Sequence, residues 1–202
     1  NFTLYDEENT VNKVIGSLDI DITLNSTTSN ATATYSFTAT NSSSFAVCTN
    51  INSTSFNGTA SIAFRAPGYW ERNYYLISAS LTNIATNVSL YVLNDTIAGQ
   101  VKISVESVLG EPLVGDYVQI QRYYPQNASS GAYLTVAMIK TVDVTGDAYT
   151  YLRYSDVFYR FVVQEGNTIV KTFSKRQVQR DTTLDLYANV LLRLDELSTD
   201  YY

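Results

Sequence analysis

Two pairs of carboxylates stand close enough in the chain to act together. Asp19 and Asp21 alternate in "SLDIDI", which turns both side chains to one face of a strand. Asp143 and Asp147 flank the glycine of "VDVTGD". A calcium ion would need roughly six to eight oxygens from a rigid loop, and neither pair supplies them. Asp19 and Asp21 are expected to be solvated carboxylates opposite Leu18 and Ile20. Asp143 and Asp147 are expected to be turn residues, a role aspartate favours through local hydrogen bonds. No metal is expected. Nothing among the 19 Asp and Glu selects a pair for acid–base hydrolysis, and no phosphate-cradling glycine loop or Ser-x-x-Lys nucleophile stands out. Catalytic and cofactor-binding residues are therefore expected to be none.

The chain has no histidine, which excludes Ser-His-Asp and Cys-His catalysis and His-ligated zinc. Cys48, the single cysteine, cannot form an internal disulfide and is expected to be a small buried hydrophobe. The net charge of −6 disfavours a nucleic-acid partner, which calls for a basic face. The basic run "KRQVQR", Lys175 to Arg180, reads as a solvated strand edge. No apolar run reaches the ~18 residues that span a bilayer. No signal-peptide pattern opens the chain, and Asn1 stands within an apparent strand, as in a processed product or a segment of something longer.

Asn-x-Ser/Thr occurs nine times, at Asn1, Asn25, Asn30, Asn41, Asn52, Asn57, Asn87, Asn94 and Asn127. That exceeds what 16 Asn and 44 Ser/Thr would give by chance. Asn25, Asn30, Asn41, Asn52, Asn57 and Asn127 fall in polar stretches that read as loops between strands. N-linked glycans and an extracellular location, on a cell surface, an appendage or a virion, are the expectation. Eight of the nine sequons lie at or before Asn94, so the first half is expected to be wrapped in sugar. The second half is expected to present a bare acidic surface with tyrosines.

The elements that must carry these residues are strands. Ser, Thr, Asn, Tyr, Val and Ile dominate a chain with 3 Pro and 9 Gly. Strand-like runs in the first half are "FTLYD", "SLDIDITL", "ATATYSFTAT", "SFAVCTN", "TASIAFRA", "RNYYLISASL" and "NVSLYVL". In the second half they are "GQVKISVES", "DYVQIQRYY", "AYLTVAMIKTV", "DAYTYLRY", "FYRFVVQE", "TIVKTFSK" and "TTLDLYA". Seven short strands with frequent turn signals in each half predict an all-β chain of two tandem antiparallel β-sandwich domains. Their bounds are 1–95 and 96–189, with 190–202 a tail or linker. Internal correspondences pair "VIGSLDI" with "LVGDYVQI", "APGYWERNYYLIS" with "RYSDVFYRFVVQ", and "NVSLYV" with "TLDLYA".

"VLGEPLVGDYVQI", "TVDVTGDAYTYL" and "SDVFYRFVV" in the second half, with "YDEENTVNKVIGSLDIDI" and "ASIAFRAPGYWERNYYL" in the first, carry a resemblance. They resemble the carboxypeptidase regulatory-like family, an Ig-like or prealbumin-like β-sandwich that occurs as a repeated accessory module. The first half departs in its middle, where no "TDxxG" appears. The Asn- and Tyr-rich style is also similar to multi-module proteins of archaeal surfaces and archaeal viruses. The resemblance implies spacers, stalks and adhesive units without catalytic residues. Sandwiches of this general kind can carry Lys–Asn isopeptide crosslinks beside a buried carboxyl. Lys102 and Asn189 would be the pair, but "VKISV" turns Lys102 outward and no acid is evident on the intervening strands.

If Val118 and Ile120 face inward, Tyr117, Gln119, Gln121 and Tyr123 face out. If Ala148, Thr150 and Leu152 face inward, Tyr149, Tyr151 and Arg153 share an outer face. Tyr, Gln and Arg on a sheet face suit a contact surface. The expected partner is another copy of the chain or a neighbouring surface or virion subunit, in a filament, layer or appendage. The tail "NVLLRLDELSTDYY" could add as a strand to another subunit. An adhesin that recognises a receptor or carbohydrate through these tyrosines is the alternative, and an enzyme's accessory domain is a third possibility.

Overall fold

The computed structural model describes residues 1–49, 55–82, 84–125, 132–142, 144–180 and 188–194. Asn52, Asn127, Asp143, the run "TTLDLY" and the tail beyond Leu194 lie outside them. The chain is all-β, and it divides into two units, Asn1–Asn94 and Asp95–Tyr202.

The first unit holds β1 (Phe2–Asp6), β2 (Gly16–Ser26), β3 (Thr32–Ser42), β4 (Ser44–Phe45), β5 (Ser55–Arg65), β6 (Arg72–Thr82) and β7 (Val88–Val92). They form two sheets, ordered β4-β1-β7 and β3-β2-β5-β6. Leu18, Ile20, Ile22 and Leu24 of β2 interleave with Ile62 and Phe64 of β5 on the inner face and meet Phe2, Leu4, Leu90 and Val92 of the other sheet. The outward positions of β2 alternate with that apolar set, so Asp19 and Asp21 are exposed.

The second unit holds β8 (Ala98–Glu106), β9 (Tyr117–Tyr124), β10 (Ala132–Lys140), β11 (Asp147–Arg153), β12 (Tyr159–Glu165), β13 (Thr168–Arg176) and β14 (Ala188–Arg193). The sheets are β11-β8-β14 and β10-β9-β12-β13. Val101, Ile103, Val105, Val118, Ile120, Phe161 and Val163 are fully enclosed.

The two orders are one order. Adding seven to each strand of the first unit reproduces the second, including the parallel pairing of first strand with last, β1 with β7 and β8 with β14. In both units the first strand runs into a turn and folds back through an isolated bridge, Tyr5 with Lys13 and Glu106 with Pro112. Asp6 Oδ1 accepts from the Glu8 amide in one turn at 2.7 Å, and Ser107 Oγ accepts from the Leu109 and Glu111 amides in the other at 3.2 Å. These are the Asx- and ST-type side-chain bonds that stabilise such corners.

Several strand expectations need correction. "APGYWERNYYLIS" supplies β6, an edge strand, whereas "RYSDVFYRFVVQ" supplies β12, which is central and corresponds to β5. The counterpart of β7 is β14 in "ANVLLR", while "TLDLY" of the expected counterpart lies outside the described residues. Residues 190–193, expected as tail, therefore lie inside the second unit, where β14 already pairs with this chain's own β8. "SFAVCTN" yields only the two-residue β4, and Cys48 beyond it is exposed rather than buried.

Candidate functional site

The richest concentration of functional side chains lies on the outer face of β10-β9-β12-β13. Val118 and Ile120 are enclosed, so Tyr117, Gln119, Gln121 and Tyr123 line the opposite side of β9. Tyr123 stands opposite Tyr133 of β10, with ring centroids 5.2 Å apart. Gln121 lies between Thr135 and Arg160 in the register, and its Oε1 accepts from Arg160 Nε at 2.7 Å. Gln119 Nε2 donates to Thr135 Oγ1 at 2.6 Å.

Cations lie over the rings. Arg160 Cζ is 4.0 Å from the Tyr133 centroid, and Lys175 Nζ is 4.2 Å from both Tyr123 and Phe158. Lys140 Nζ is 5.3 Å from Tyr117, its register partner. Such contacts contribute about 0.5–1 kcal/mol each at exposed sites. The outward positions of these strands carry Lys140, Arg160 and Lys175, whereas Arg122 alternates with the enclosed Val118 and Ile120, and Lys171 and Arg176 stand opposite the enclosed Val163 and Tyr159 on the inner side. The bare acidic surface expected of the second half is, on this face, basic. "KRQVQR", expected as a solvated strand edge, contributes Lys175 to it, and Lys140 and Arg160 arrive from strands distant in sequence.

Tyr149, Tyr151 and Arg153 are on β11, in the other sheet, so the seven expected contact residues form two separate surfaces. Arg153 pairs with Asp156, and its guanidinium holds that exposed carboxyl below its ordinary range. Tyr149 is opposite Lys102 and Tyr151 opposite Gln100.

Beside them sits a cluster the sequence did not reveal. Lys102 alternates with the enclosed Val101 and Ile103, and Asn189 is its register partner on β14. The Lys102 ammonium reaches Asp147 Oδ2 at 2.7 Å, Ser104 Oγ donates to Oδ1, and Thr145 Oγ1 donates to Oδ2 at 2.5 Å. An acid does therefore lie beside Lys102, brought from β11. Burial raises the Asp147 pKa, but the bonds from Lys102, Ser104 and Thr145 outweigh it and leave the carboxyl below its ordinary range. Amide condensation would require a neutral amine and a protonated acid. The cluster favours the ionised carboxylate, and Asn189 is exposed. It works as an ion pair that ties β8 to the turn before β11, not as a crosslinking centre. Asp147 is also spent as a metal ligand, and among the described residues no three Asp, Glu or Cys side chains converge.

The sequons are distributed over strands as well as loops. Asn25, Asn41 and Asn57, expected in loops, belong to β2, β3 and β5. Asn25 and Asn57 are cross-strand partners, both exposed. Asn30 is in the bend after β2, while Asn1, Asn87 and Asn94 flank strand ends. Asn1 Nδ2 donates to Asn87 Oδ1 at 3.0 Å. Cys48 is at the rim of an apolar cleft of about 450 Å³ lined by Phe2, Ile22, Leu24, Phe56 and Leu81. No helix among the described residues is long and apolar enough to cross a membrane.

The chain matches no family model and no curated protein. Among solved structures it is similar to the Bacillus anthracis TIE protein, at 15% identity and a TM-score of 0.30, covering 95% of this chain and 32% of that one. It is similar to the shaft pilin spaA of Lactobacillus rhamnosus GG, at 12% identity and a TM-score of 0.32 over 95% of both chains. A streptococcal ancillary pilin follows, at 11% identity and a TM-score of 0.30 over 94% of this chain and 61% of that one. The chain thus spans about a third of the length of the first. These similarities assign it to none of the three.

Proposed function

We propose that this chain is a non-enzymatic, extracellular structural subunit, N-glycosylated on its first unit, that assembles into or decorates a filament, surface layer or virion appendage. The observation that carries this reading is the repetition of one seven-strand order in both units, with β10-β9-β12-β13 presenting a broad face of ordered Tyr, Gln and cationic side chains. Repeated modules provide length and stiffness, and a flat, pre-ordered face provides area for contact at little entropic cost. Tyr117, Gln119, Gln121 and Tyr123 make that contact, and Tyr149, Tyr151 and Arg153 form a second, smaller surface.

Electron microscopy of the native material, with intact-mass measurement, tests both parts. Repeating assemblies, with added mass in hexose-sized steps at the sequons, are the expected outcome. A dispersed monomer of unmodified mass would overturn the reading. Sugar recognition by an adhesin is the competing reading, favoured by the Tyr123 and Tyr133 rings. It predicts a soluble monomer that loses its ligand on Tyr123→Ala.

A further inference from the structure

The same sheet in the two units carries opposite surface chemistry. On β3-β2-β5-β6 the outward residues of β2 are Ser17, Asp19, Asp21, Thr23 and Asn25, opposite Thr32, Thr34, Ser36 and Thr38 of β3 and Asn57, Thr59, Ser61 and Ala63 of β5. Ser36 Oγ donates to Asp21 Oδ1 at 2.6 Å, and Thr32 Oγ1 donates to Asn25 Oδ1 at 2.8 Å. This is a carpet of hydroxyls with two exposed carboxylates. Arg65, at the strand's end, is the cation of that strand exposed to solvent. On the equivalent sheet of the second unit, Lys140, Arg160 and Lys175 sit over aromatic rings rather than against carboxylates.

We infer that the Tyr–cation face of one copy docks on the Asp19/Asp21 face of the next. This rests on the reading of the chain as an assembling subunit and names its partner, a second copy. Charge complementarity argues for it: cations are gathered on one sheet of a chain whose net charge is −6, so the remainder is more acidic still. Because the two faces belong to different units, the contact is heterologous, and such contacts propagate into rings or open filaments rather than closing as a dimer. Four strands ~4.8 Å apart and eight residues long offer about 500 Å² of flat area. That is below the ~800 Å² per partner of a standard interface, so the contact is weak singly and effective through repetition. Asn25, the cross-strand partner of Asn57 on β5, is four residues from Asp21 and six from Asp19 along β2, about 13 and 20 Å away. Sugars there frame this contact instead of covering its carboxylates.

Sedimentation velocity of the full chain, at low and high salt, tests the inference with two charge-reversed variants, Lys140→Glu/Arg160→Glu/Lys175→Glu and Asp19→Lys/Asp21→Lys. Wild type should self-associate with rising concentration and dissociate in high salt. Each variant alone should associate at least ~10-fold more weakly, since both its faces then carry one sign. Mixing the two variants should restore assembly, because each then meets an oppositely charged face. Unchanged circular dichroism and melting would show that the variants fold. Assembly that survives both reversals, or a mixture that stays monomeric, would sink the inference while leaving the structural-subunit reading intact. A wild type that stays monomeric at every concentration would sink both. If that monomer instead bound dextran sulfate through Lys140, Arg160 and Lys175, the face would be an anionic-glycan site.

Discussion

The two units share a strand order but close their interiors by different means. In the first, Arg72, the opening residue of β6, and Glu7, just past β1, form an ion pair with both side chains at 0% exposure. Arg72 Nη1 also donates to the Tyr91 carbonyl at 3.1 Å. In the second, the structural counterparts of these positions are not a charge pair. Tyrosines serve instead: the enclosed Tyr159 accepts through its hydroxyl from the Arg153 amide at 3.1 Å, and the Tyr154 ring lies against Gly99. Among the second unit's ion pairs, Lys102–Asp147 sits at the sheet surface with the lysine 27% exposed. One topology thus tolerates either solution, because strand pairing and apolar interleaving set the fold while polar residues are local fittings.

Removing one partner of the enclosed pair should have the largest effect. Glu7→Ala leaves the Arg72 charge buried without its carboxylate and should cost about 3–5 kcal/mol, lowering the first unfolding transition in urea while sparing the second unit. Glu7→Leu combined with Arg72→Met should recover most of that loss, since apolar replacements of similar volume avoid the desolvation penalty.

Gly99→Ala is expected to come next. A β-carbon there would meet the Tyr154 ring at 2.0 Å, so the ring must leave its place or the strand must shift. Overpacking of this kind costs about 1–3 kcal/mol, and Gly99→Ala/Tyr154→Ala should be less than additive in a double-mutant cycle followed by thermal melting.

Asp147→Asn should cost less, on the order of 1 kcal/mol, because its lysine partner is partly solvated. Its pH signature is more telling. The folded-state pKa of Asp147 is depressed, so its contribution is present above the ordinary carboxylate range and is lost as pH falls through that range to the folded value. Asp116 acts in the opposite sense: burial first, and the Glu165 charge second, raise its pKa, so protonation relieves the fold. Melting temperatures from neutral to acid pH should therefore fall less steeply in Asp147→Asn than in wild type. An equal slope would mean that the Lys102 contact is absent in solution.

Tyr69→Phe is the smallest change. It removes a hydroxyl that donates to Asp6 Oδ2 at 3.1 Å, next to the Ala66–Tyr69 turn, and should cost about 0.5–1.5 kcal/mol. Burial and the neighbouring Asp6 raise the Tyr69 pKa, so this hydroxyl remains a donor through neutral pH. Difference spectroscopy of tyrosine ionisation checks the point.

Strands with strict alternation were readable in the residues. Leu18, Ile20, Ile22 and Leu24 leave a single choice of buried face, and Val118 and Ile120 likewise settle which side Tyr117 and Tyr123 occupy. Shorter or less regular segments were not readable. "SFAVCTN" has apolar residues enough for a strand, yet pairing stops after Phe45, since β-pairing depends on what lies alongside. "ANVLLR" looked like a tail because its partner, β8, is nearly ninety positions upstream. The candidate contact face was half legible: its tyrosines followed from alternation on β9, and its cations did not, because Lys140, Arg160 and Lys175 belong to three other strands.

Period-two patterning, turn residues and composition are local properties, and they were sufficient for the all-β class, the doubled architecture and the identity of the outward-facing tyrosines. Which strands became neighbours is a long-range matter, and it alone brought Asp147 to Lys102, Glu7 to Arg72, and a row of cations over the rings of β9 and β10. Charge acts through space rather than along the chain, so a sequence of net charge −6 could hide a basic face until its sheets were assembled.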